Sequence, residues 1–186
     1  YKSHGYSILA ITDHERPRCH QDLTDSGFML VTGYECYIRP EHRYNAYDRE
    51  IHLNLFARDP QNTTMICFNE VYCKYLMRDQ AFNELTSRAG SERCREYSYE
   101  YINEYIRTAK DNGYIVAYNH PYWSMEDEAD VLSYEGCFSM EICNYGSYVM
   151  NGLEYCGALY DKMLYNGKRI FCHGTDDNHN VYPVDH

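Results

Sequence analysis

Histidine and carboxylate side chains follow several short apolar runs of this sequence, at the points where those runs end. The segments are Thr12-Asp13-His14, Glu35, Asn119-His120-Pro121 and Asp177-Asn178-His179. His52 differs, because it alternates with apolar residues in Ile-His-Leu-Asn-Leu-Phe and is predicted to point inward from a strand. Imidazoles and carboxylates without thiolates suit Zn, Mn or Fe. Together these residues predict a site for divalent metal ions, although each one alone is more typical of a helix cap or a loop hydrogen bond.

The apolar runs predict the strands that would position these residues. Strands are predicted at 7–11, 29–34, 51–56, 114–118, 138–143 and 169–172. Helical spacing predicts helices at 98–112 and 152–166, and the segment 64–86 within the irregular region 57–97 also favours helix. Helices that alternate with buried strands indicate a parallel α/β sheet, and a barrel is favoured over an open sheet. The carboxyl ends of parallel strands meet on one face, which would bring the ligand-type residues together.

Composition limits the classes of function. The chain has 186 residues, interpreted as one domain over 1–186, and it carries a net charge of −11. An acidic chain argues against nucleic acid as a stable partner and against binding to an anionic membrane. No run approaches the ~18 apolar residues of a membrane span. The nine cysteines include no CxxC pair, which favours reduced thiols in a cytoplasmic protein.

The first residues predict that the domain is incomplete. The segment from Tyr1 to Gly5 has the pattern of a last helical turn, with Gly5 ending it. The numbered chain is therefore expected to be a fragment that lacks N-terminal and C-terminal parts of its domain. A further strand is expected just before Tyr1.

Five motifs, in this order, resemble those of the PHP (polymerase and histidinol phosphatase) domain, a family of metal-dependent phosphoesterases. They are Ile11-Thr12-Asp13-His14, Gly33-Tyr34-Glu35, His52, Asn119-His120-Pro121-Tyr122-Trp123 and Asp177-Asn178-His179. The resemblance covers nearly the whole chain. It implies an α/β fold, a distorted seven-stranded TIM-like (βα)7 barrel whose first strand is missing here. One departure is that the opening His-x-His motif of the family has no counterpart in this sequence.

The resemblance also implies a role for each ligand-type residue. Glu35 would bridge two metal ions, with His52 and His120 completing one site and Asp177 belonging to the partner site. A further ion would be held by His14 and His179. The predicted metal ligands are thus His14, Glu35, His52, His120, Asp177 and His179, and two or three divalent ions (Zn, Mn or Fe) are expected in a complete domain. Asp176 competes with Asp177, since either carboxylate could face the site.

The implied function is hydrolysis of a phosphate mono- or diester by a metal-bridged hydroxide. The catalytic residues would be Glu35, His120 and Asp177. The expected substrate is a small phosphorylated molecule, for which Arg39, Arg43 and Arg49 are candidate contacts. Two alternatives stay open. One is a non-catalytic PHP-like metal-binding or interaction module, which the missing His-x-His motif favours. The other is a metal-dependent hydrolase of a different bond, such as an amide, because one fold supports several chemistries.

Overall fold

The computed structural model describes residues 1–40, 49–73, 87–153 and 155–179, and the statements below concern these residues. The strands are β1 (Ile8–Ile11), β2 (Met29–Ile38), β3 (Ile51–Ala57), β4 (Met65–Ile66), β5 (Arg88–Ala89), β6 (Tyr114–Tyr118), β7 (Ser139–Asn144) and β8 (Phe171–Thr175). The α-helices are α1 (Glu70–Cys73), α2 (Tyr99–Asp111), α3 (Glu128–Ser133), α4 (Tyr145–Asn151) and α5 (Gly157–Tyr165), and short 3-10 turns lie at Lys2–His4 and Gln21–Leu23. In this described part, every helix is too short or too polar to cross a membrane.

Six strands form one curled sheet in the order β1-β2-β3-β6-β7-β8, open like half of a barrel. Strand β1 is parallel to β2, and β7 is parallel to both β6 and β8. Strand β3 runs antiparallel to both of its neighbours, β2 and β6. The predicted seven-stranded TIM-like (βα)7 barrel is therefore wrong. The described residues supply no seventh strand to this sheet and no pairing between β1 and β8 that would close it.

The strand positions agree with the apolar pattern, and the main differences lie at carboxyl ends. Strand β6 has the predicted bounds, β1 and β3 each differ from the predicted bounds by one residue at one end, and β7 differs by one residue at both ends. Strand β2 continues to Ile38, so Glu35 lies inside this strand and does not follow it. Strand β8 begins later than expected and continues to Thr175. Both strands extend beyond their apolar runs because backbone pairing continues there, with Tyr37 and Ile38 opposite β3 and with Gly174 and Thr175 opposite β7.

Helix α2 packs on the sheet through an amphipathic face, and its prediction at 98–112 is confirmed. The Ser98 hydroxyl caps it by accepting a hydrogen bond from a backbone N–H of the first turn. Its buried residues are Tyr101, Ile102, Tyr105, Ile106 and Ala109. The helix predicted at 152–166 is wrong at its beginning, because Gly152 adopts φ 74° and ends α4, while α5 starts at Gly157. Within 64–86, the described residues form β4 and α1, and 74–86 lie outside the described residues.

None of the nine cysteines forms a disulfide. Cys36, Cys73 and Cys156 are buried, whereas Cys94 and Cys172 are exposed. Burial raises the pKa of Cys73 and of Cys156 to about 12. The buried thiols therefore stay protonated at neutral pH, which makes them poor nucleophiles.

Candidate metal centre

The carboxylate of Glu35 lies at the centre of a cluster of imidazoles. Glu35 is only 5% exposed. Its Oε2 atom lies 3.2 Å from Nδ1 of His14. Its Oε1 atom lies 3.3 Å from Nδ1 of His52 and 3.5 Å from Nε2 of His120. The structure thus brings four of the predicted ligands into contact, with ring centroids 5.5 Å apart for His14 and His52 and 4.9 Å apart for His52 and His120.

The direction of β3 explains how these side chains meet. His14 follows β1 and forms a parallel bridge with Glu35 in β2. His120 directly follows Asn119 at the carboxyl end of β6. His52 lies at the beginning of β3, opposite Tyr37 of β2, which is two positions from Glu35 and therefore on the same face. Because β3 is antiparallel to its neighbours, its beginning lies at the edge where β1 and β6 end.

The charges within this cluster are strongly coupled. Burial alone would raise the pKa of Glu35, but His52 and His120 outweigh it and hold this pKa well below its ordinary value. Burial alone would lower the pKa of His52, but Glu35 and Glu50 raise it from 6.5 to about 10. Glu35 and His52 therefore form an ion pair, and a metal ion that displaced the His52 proton would keep the same carboxylate as its partner.

The residues of the cluster fit a divalent ion. One ligand atom each from His14, Glu35 and His52 lies within 4.8 Å of the others, so the three side chains are close enough together that they could hold one ion. Asn119 donates from Nδ2 to Oε1 of Glu35 at 2.6 Å. Its own buried Oδ1 has no hydrogen-bond partner among the residues that the structure describes. An unpartnered oxygen beside a buried carboxylate leaves an acceptor for a water molecule or a cation.

The segment after β8 brings the last two predicted ligands to the rim of the cluster. The ring centroid of His179 lies 5.9 Å from that of His14. Nδ1 of His179 lies 3.6 Å from Oδ1 of Asp177. Asp176 faces Tyr1 instead, and the Tyr1 hydroxyl donates to its Oδ2 atom at 2.6 Å. These contacts favour Asp177 over Asp176 as the carboxylate that belongs to the site.

Two aromatic rings lie against the imidazoles. The ring centroid of Trp123 is 5.2 Å from that of His52 and 4.9 Å from that of His120. Tyr37 lies 5.8 Å from His52 and 6.0 Å from His14. His52 and His120 are buried beneath these rings, whereas the side chain of His14 is 44% exposed. The cluster therefore opens to solvent on the side of His14.

The sequence carries no signal for a buried ion pair beside His14. Glu15 and Arg95 are each 2% exposed. The guanidinium of Arg95 donates to the two carboxylate oxygens of Glu15 at 2.6 and 2.8 Å. Glu15 has φ 55°, and its N–H donates to the carbonyl of Glu35 at 2.7 Å. The pair anchors the residue next to His14, but its members are 80 positions apart in the chain, so no periodic pattern links them.

Two other residues that sequence reasoning missed do carry a signal. Oε1 of Glu50 lies 3.7 Å from Nε2 of His52. Glu50 stands two positions before His52, so the alternation of a strand places both on one face. Asn119, which orients Glu35, directly precedes His120. Polar residues one or two positions from a candidate ligand are therefore the ones to examine as its supports.

The candidate phosphate contacts have different surroundings. The guanidinium carbon of Arg39 lies 5.5 Å from the ring centroid of Tyr37, beside the cluster. Arg49 pairs with Asp127 at 3.0 Å and with Asp130 at 2.7 Å. Arg43 lies outside the described residues. Arg39 therefore stays a candidate for contact with an anion, whereas Arg49 ties the chain before β3 to the start of α3.

Comparison with known proteins adds no relative, because no protein-family model and no curated protein matches this chain. Any assignment of function therefore depends on the motifs of the sequence and on the geometry around Glu35.

Proposed function

We propose that this chain is a metal-dependent hydrolase that cleaves phosphate mono- or diesters, with a small phosphorylated molecule as substrate. The observation that best supports the proposal is the buried Glu35 carboxylate, which has imidazole nitrogens from three segments at 3.2 to 3.5 Å. A buried carboxylate is costly unless it is paired, and here the partners are themselves good ligands for divalent ions. The motif order that resembles the PHP domain favours the same class of reaction.

The proposed roles follow from the positions of the side chains. The residues that would hold divalent ions are His14, Glu35, His52, His120, Asp177 and His179. Such ions, when bound, lower the pKa of water and offset the negative charge of a phosphoryl group. Asn119 fixes the Glu35 carboxylate through its 2.6 Å hydrogen bond, and Trp123 covers the buried imidazoles. The local charge of bound ions would let a chain of net charge −11 accept an anionic substrate.

The donor set and the cysteines bear on the metal and on the cellular compartment. Imidazoles with carboxylates and without thiolates favour Zn, Mn or Fe. Nine cysteines of which none forms a disulfide suit a reducing compartment, so we also propose a cytoplasmic location.

The first test is the metal content of the purified full chain. We expect at least one equivalent of Zn, Mn or Fe by elemental analysis, and metal-dependent release of p-nitrophenol from p-nitrophenyl phosphate or from the bis-ester. Glu35→Gln removes the charge and keeps the shape, and His120→Ala removes a ring. Each should lower turnover by roughly 100-fold or more. His4→Ala is the matched control and should change neither readout, because His4 is exposed in the first turn of the chain.

Each outcome has a defined meaning. Metal binding without turnover of either ester would favour the non-catalytic module. Turnover of amides alone would favour a hydrolase of another bond. Unchanged turnover in both Glu35→Gln and His120→Ala would refute the proposed site. No metal after reconstitution with the three ions would refute a metal-dependent function.

A further inference from the structure

Glu141 is a second buried carboxylate, and it lies between the segments that carry His120 and Asp177. It is only 2% exposed. Its Oε2 atom accepts hydrogen bonds from the backbone N–H of His120 and from Nδ2 of Asn144, each at 2.9 Å. Its Oε1 atom accepts from the hydroxyl of Thr175 at 2.9 Å. One side chain of β7 therefore joins the segment after β6, the start of α4 and the end of β8.

The bond to His120 supports an unfavourable backbone conformation. His120 has φ 25°, in the left-handed region that residues other than glycine seldom adopt. Such a conformation costs on the order of 1–3 kcal/mol and persists only where the surroundings hold it. Glu141 holds the N–H of this residue, while Ser124 lies 3.3 Å from Nδ1 of the ring and Glu35 lies 3.5 Å from Nε2. Glu141 thus sets the direction of the His120 ring through the backbone.

The hydrogen bond from Asn144 links Glu141 with Asp177. Nδ2 of Asn144 also lies 3.3 Å from Oδ2 of Asp177. Oδ1 of Asn144 accepts the N–H of Ser147 at 2.7 Å, so the amide is fixed on its other side by the first turn of α4. Gly146 permits the close approach of this segment, because a Cβ there would lie 2.9 Å from the carbonyl oxygen of Asp177. The amide therefore holds two carboxylates at a defined separation.

The hydrogen bonds of Glu141 argue against a role as a metal ligand. Its two oxygens accept from a backbone N–H, a side-chain amide and a hydroxyl, all at 2.9 Å. The backbone N–H of His120 and the Nδ2 of Asn144 are donors only and cannot themselves bind a cation. Glu35, in contrast, has three imidazoles around it that can exchange a hydrogen bond for a metal ion.

We propose that Glu141 is a positioning residue of the candidate metal centre. It holds His120 and Asp177 in the relative arrangement that ion binding needs, and it does so without contacting the ion. This inference rests on the function proposed above, and it names the residue on which the geometry of that site depends.

Two substitutions of Glu141 separate positioning from direct binding. In Glu141→Gln the amide oxygen can accept from His120 and Asn144, and the amide N–H can donate to Thr175. Glu141→Leu removes every acceptor at a similar volume. We expect the Zn²⁺ affinity of the full chain, measured by competition with a chelator, to stay within roughly 3-fold of wild type for glutamine and to fall roughly 10–100-fold for leucine. The Co²⁺ absorption bands should shift only in the leucine variant.

Thr175→Val supplies a milder change in case the leucine variant does not fold. It removes one hydrogen bond to Glu141 at nearly constant shape and should weaken Zn²⁺ binding by roughly 3–10-fold. Thr108→Val is the matched control, because the Thr108 hydroxyl donates to the Glu104 carbonyl within α2 at 2.8 Å. We expect this control to keep the wild-type affinity.

The outcomes distinguish this inference from the proposed function. Equal losses of affinity in Glu141→Gln and Glu141→Leu would overturn the inference, because they would identify Glu141 as a ligand. Wild-type affinity in Thr175→Val would overturn it as well. A wild-type chain that binds no metal would refute the proposed function. In that case, the rate of hydrogen exchange at the His120 amide, measured without added metal, would decide whether Glu141 positions His120. The His120 amide should exchange roughly 10-fold faster in Thr175→Val than in Glu141→Gln, and equal rates would overturn the inference.

Discussion

Glu126 should make the stability of this fold depend on pH near neutrality, and Glu126→Gln should remove that dependence. Glu126 is 3% exposed. Its carboxylate accepts hydrogen bonds from the hydroxyls of Tyr97, Tyr118 and Tyr134. Burial raises the pKa of Glu126 from 4.5 to about 7, against the lowering effect of these hydrogen bonds, and the charge of Asp130 adds to the increase.

The direction of the effect follows from the raised pKa. The folded chain binds a proton at Glu126 more tightly than the unfolded chain does. The resulting stabilisation is complete below about pH 4.5 and is lost as the pH rises through about 7. One pKa unit corresponds to about 1.4 kcal/mol, so the loss between about pH 5 and about pH 8 is about 2–3 kcal/mol. That is a large part of the ~10 kcal/mol by which a typical domain is stable.

Urea unfolding at several values between about pH 5 and about pH 8 measures this effect. The quantity to compare is the free energy of unfolding of wild type minus that of Glu126→Gln, because the subtraction removes most other titrating groups. We expect this difference to fall by about 2–3 kcal/mol across the range. In Glu128→Gln, which replaces an exposed carboxylate 3.4 Å from Lys162, the difference should stay nearly constant. A constant difference for Glu126→Gln as well would refute the reasoning.

Two further substitutions test other features of the structure. Arg95→Met leaves Glu15 buried and unpaired, so the free energy of unfolding measured by urea titration should fall by about 3–5 kcal/mol. Gly146→Ala adds a carbon that would lie 2.9 Å from the carbonyl oxygen of Asp177 and 3.1 Å from its Oδ2. We expect the Asp177 segment to move away, with a loss of Zn²⁺ affinity of roughly 10-fold by calorimetric titration.

The chain offers a matched control for each of these changes. Arg93→Met removes an exposed guanidinium that pairs with Glu104 and should alter stability little. Gly27→Ala places its new carbon no closer than 3.7 Å to the nearest contact and should leave metal affinity unchanged. Equal losses of stability in the two arginine variants would contradict the buried ion pair. Unchanged affinity in Gly146→Ala would separate Asp177 from metal binding.

The strands were predictable from the sequence because the constraint that reveals them is local. A residue that faces the core must be apolar, and this pattern located β3 and β6 with errors of at most one residue. The direction of a strand, in contrast, depends on pairing with strands that can lie far away in the sequence. Antiparallel β3 buries Leu53 and Leu55 as a parallel strand would, and only its pairing with β2 and β6 decides its direction. The same limitation made the closed barrel wrong, since closure depends on the pairing of β1 with β8.

The candidate metal ligands were easier to predict from the sequence than the residues that hold them in place. His14, Glu35, His52 and His120 combine ligand-type side chains with positions in or beside strands, and the structure places them in contact. Some of the residues that hold these ligands in place show no such pattern in the sequence. Arg95 reaches Glu15 across 80 positions, and this contact exists only once the fold has formed.

Labelling of a buried thiol can measure the rate at which the structure around the site opens. Cys36 follows Glu35 in β2 and is buried in the core that β2 shares with α2, so a thiol reagent can reach its sulfur only when this core opens. Burial also raises the pKa of Cys36, so the closed state stays inert. Exposed Cys94 and Cys172 react without any opening and provide the reference rate. The labelling rate of Cys36 therefore reports how often the core around β2 opens, and an ion bound to Glu35 would slow this rate where that opening releases the ion.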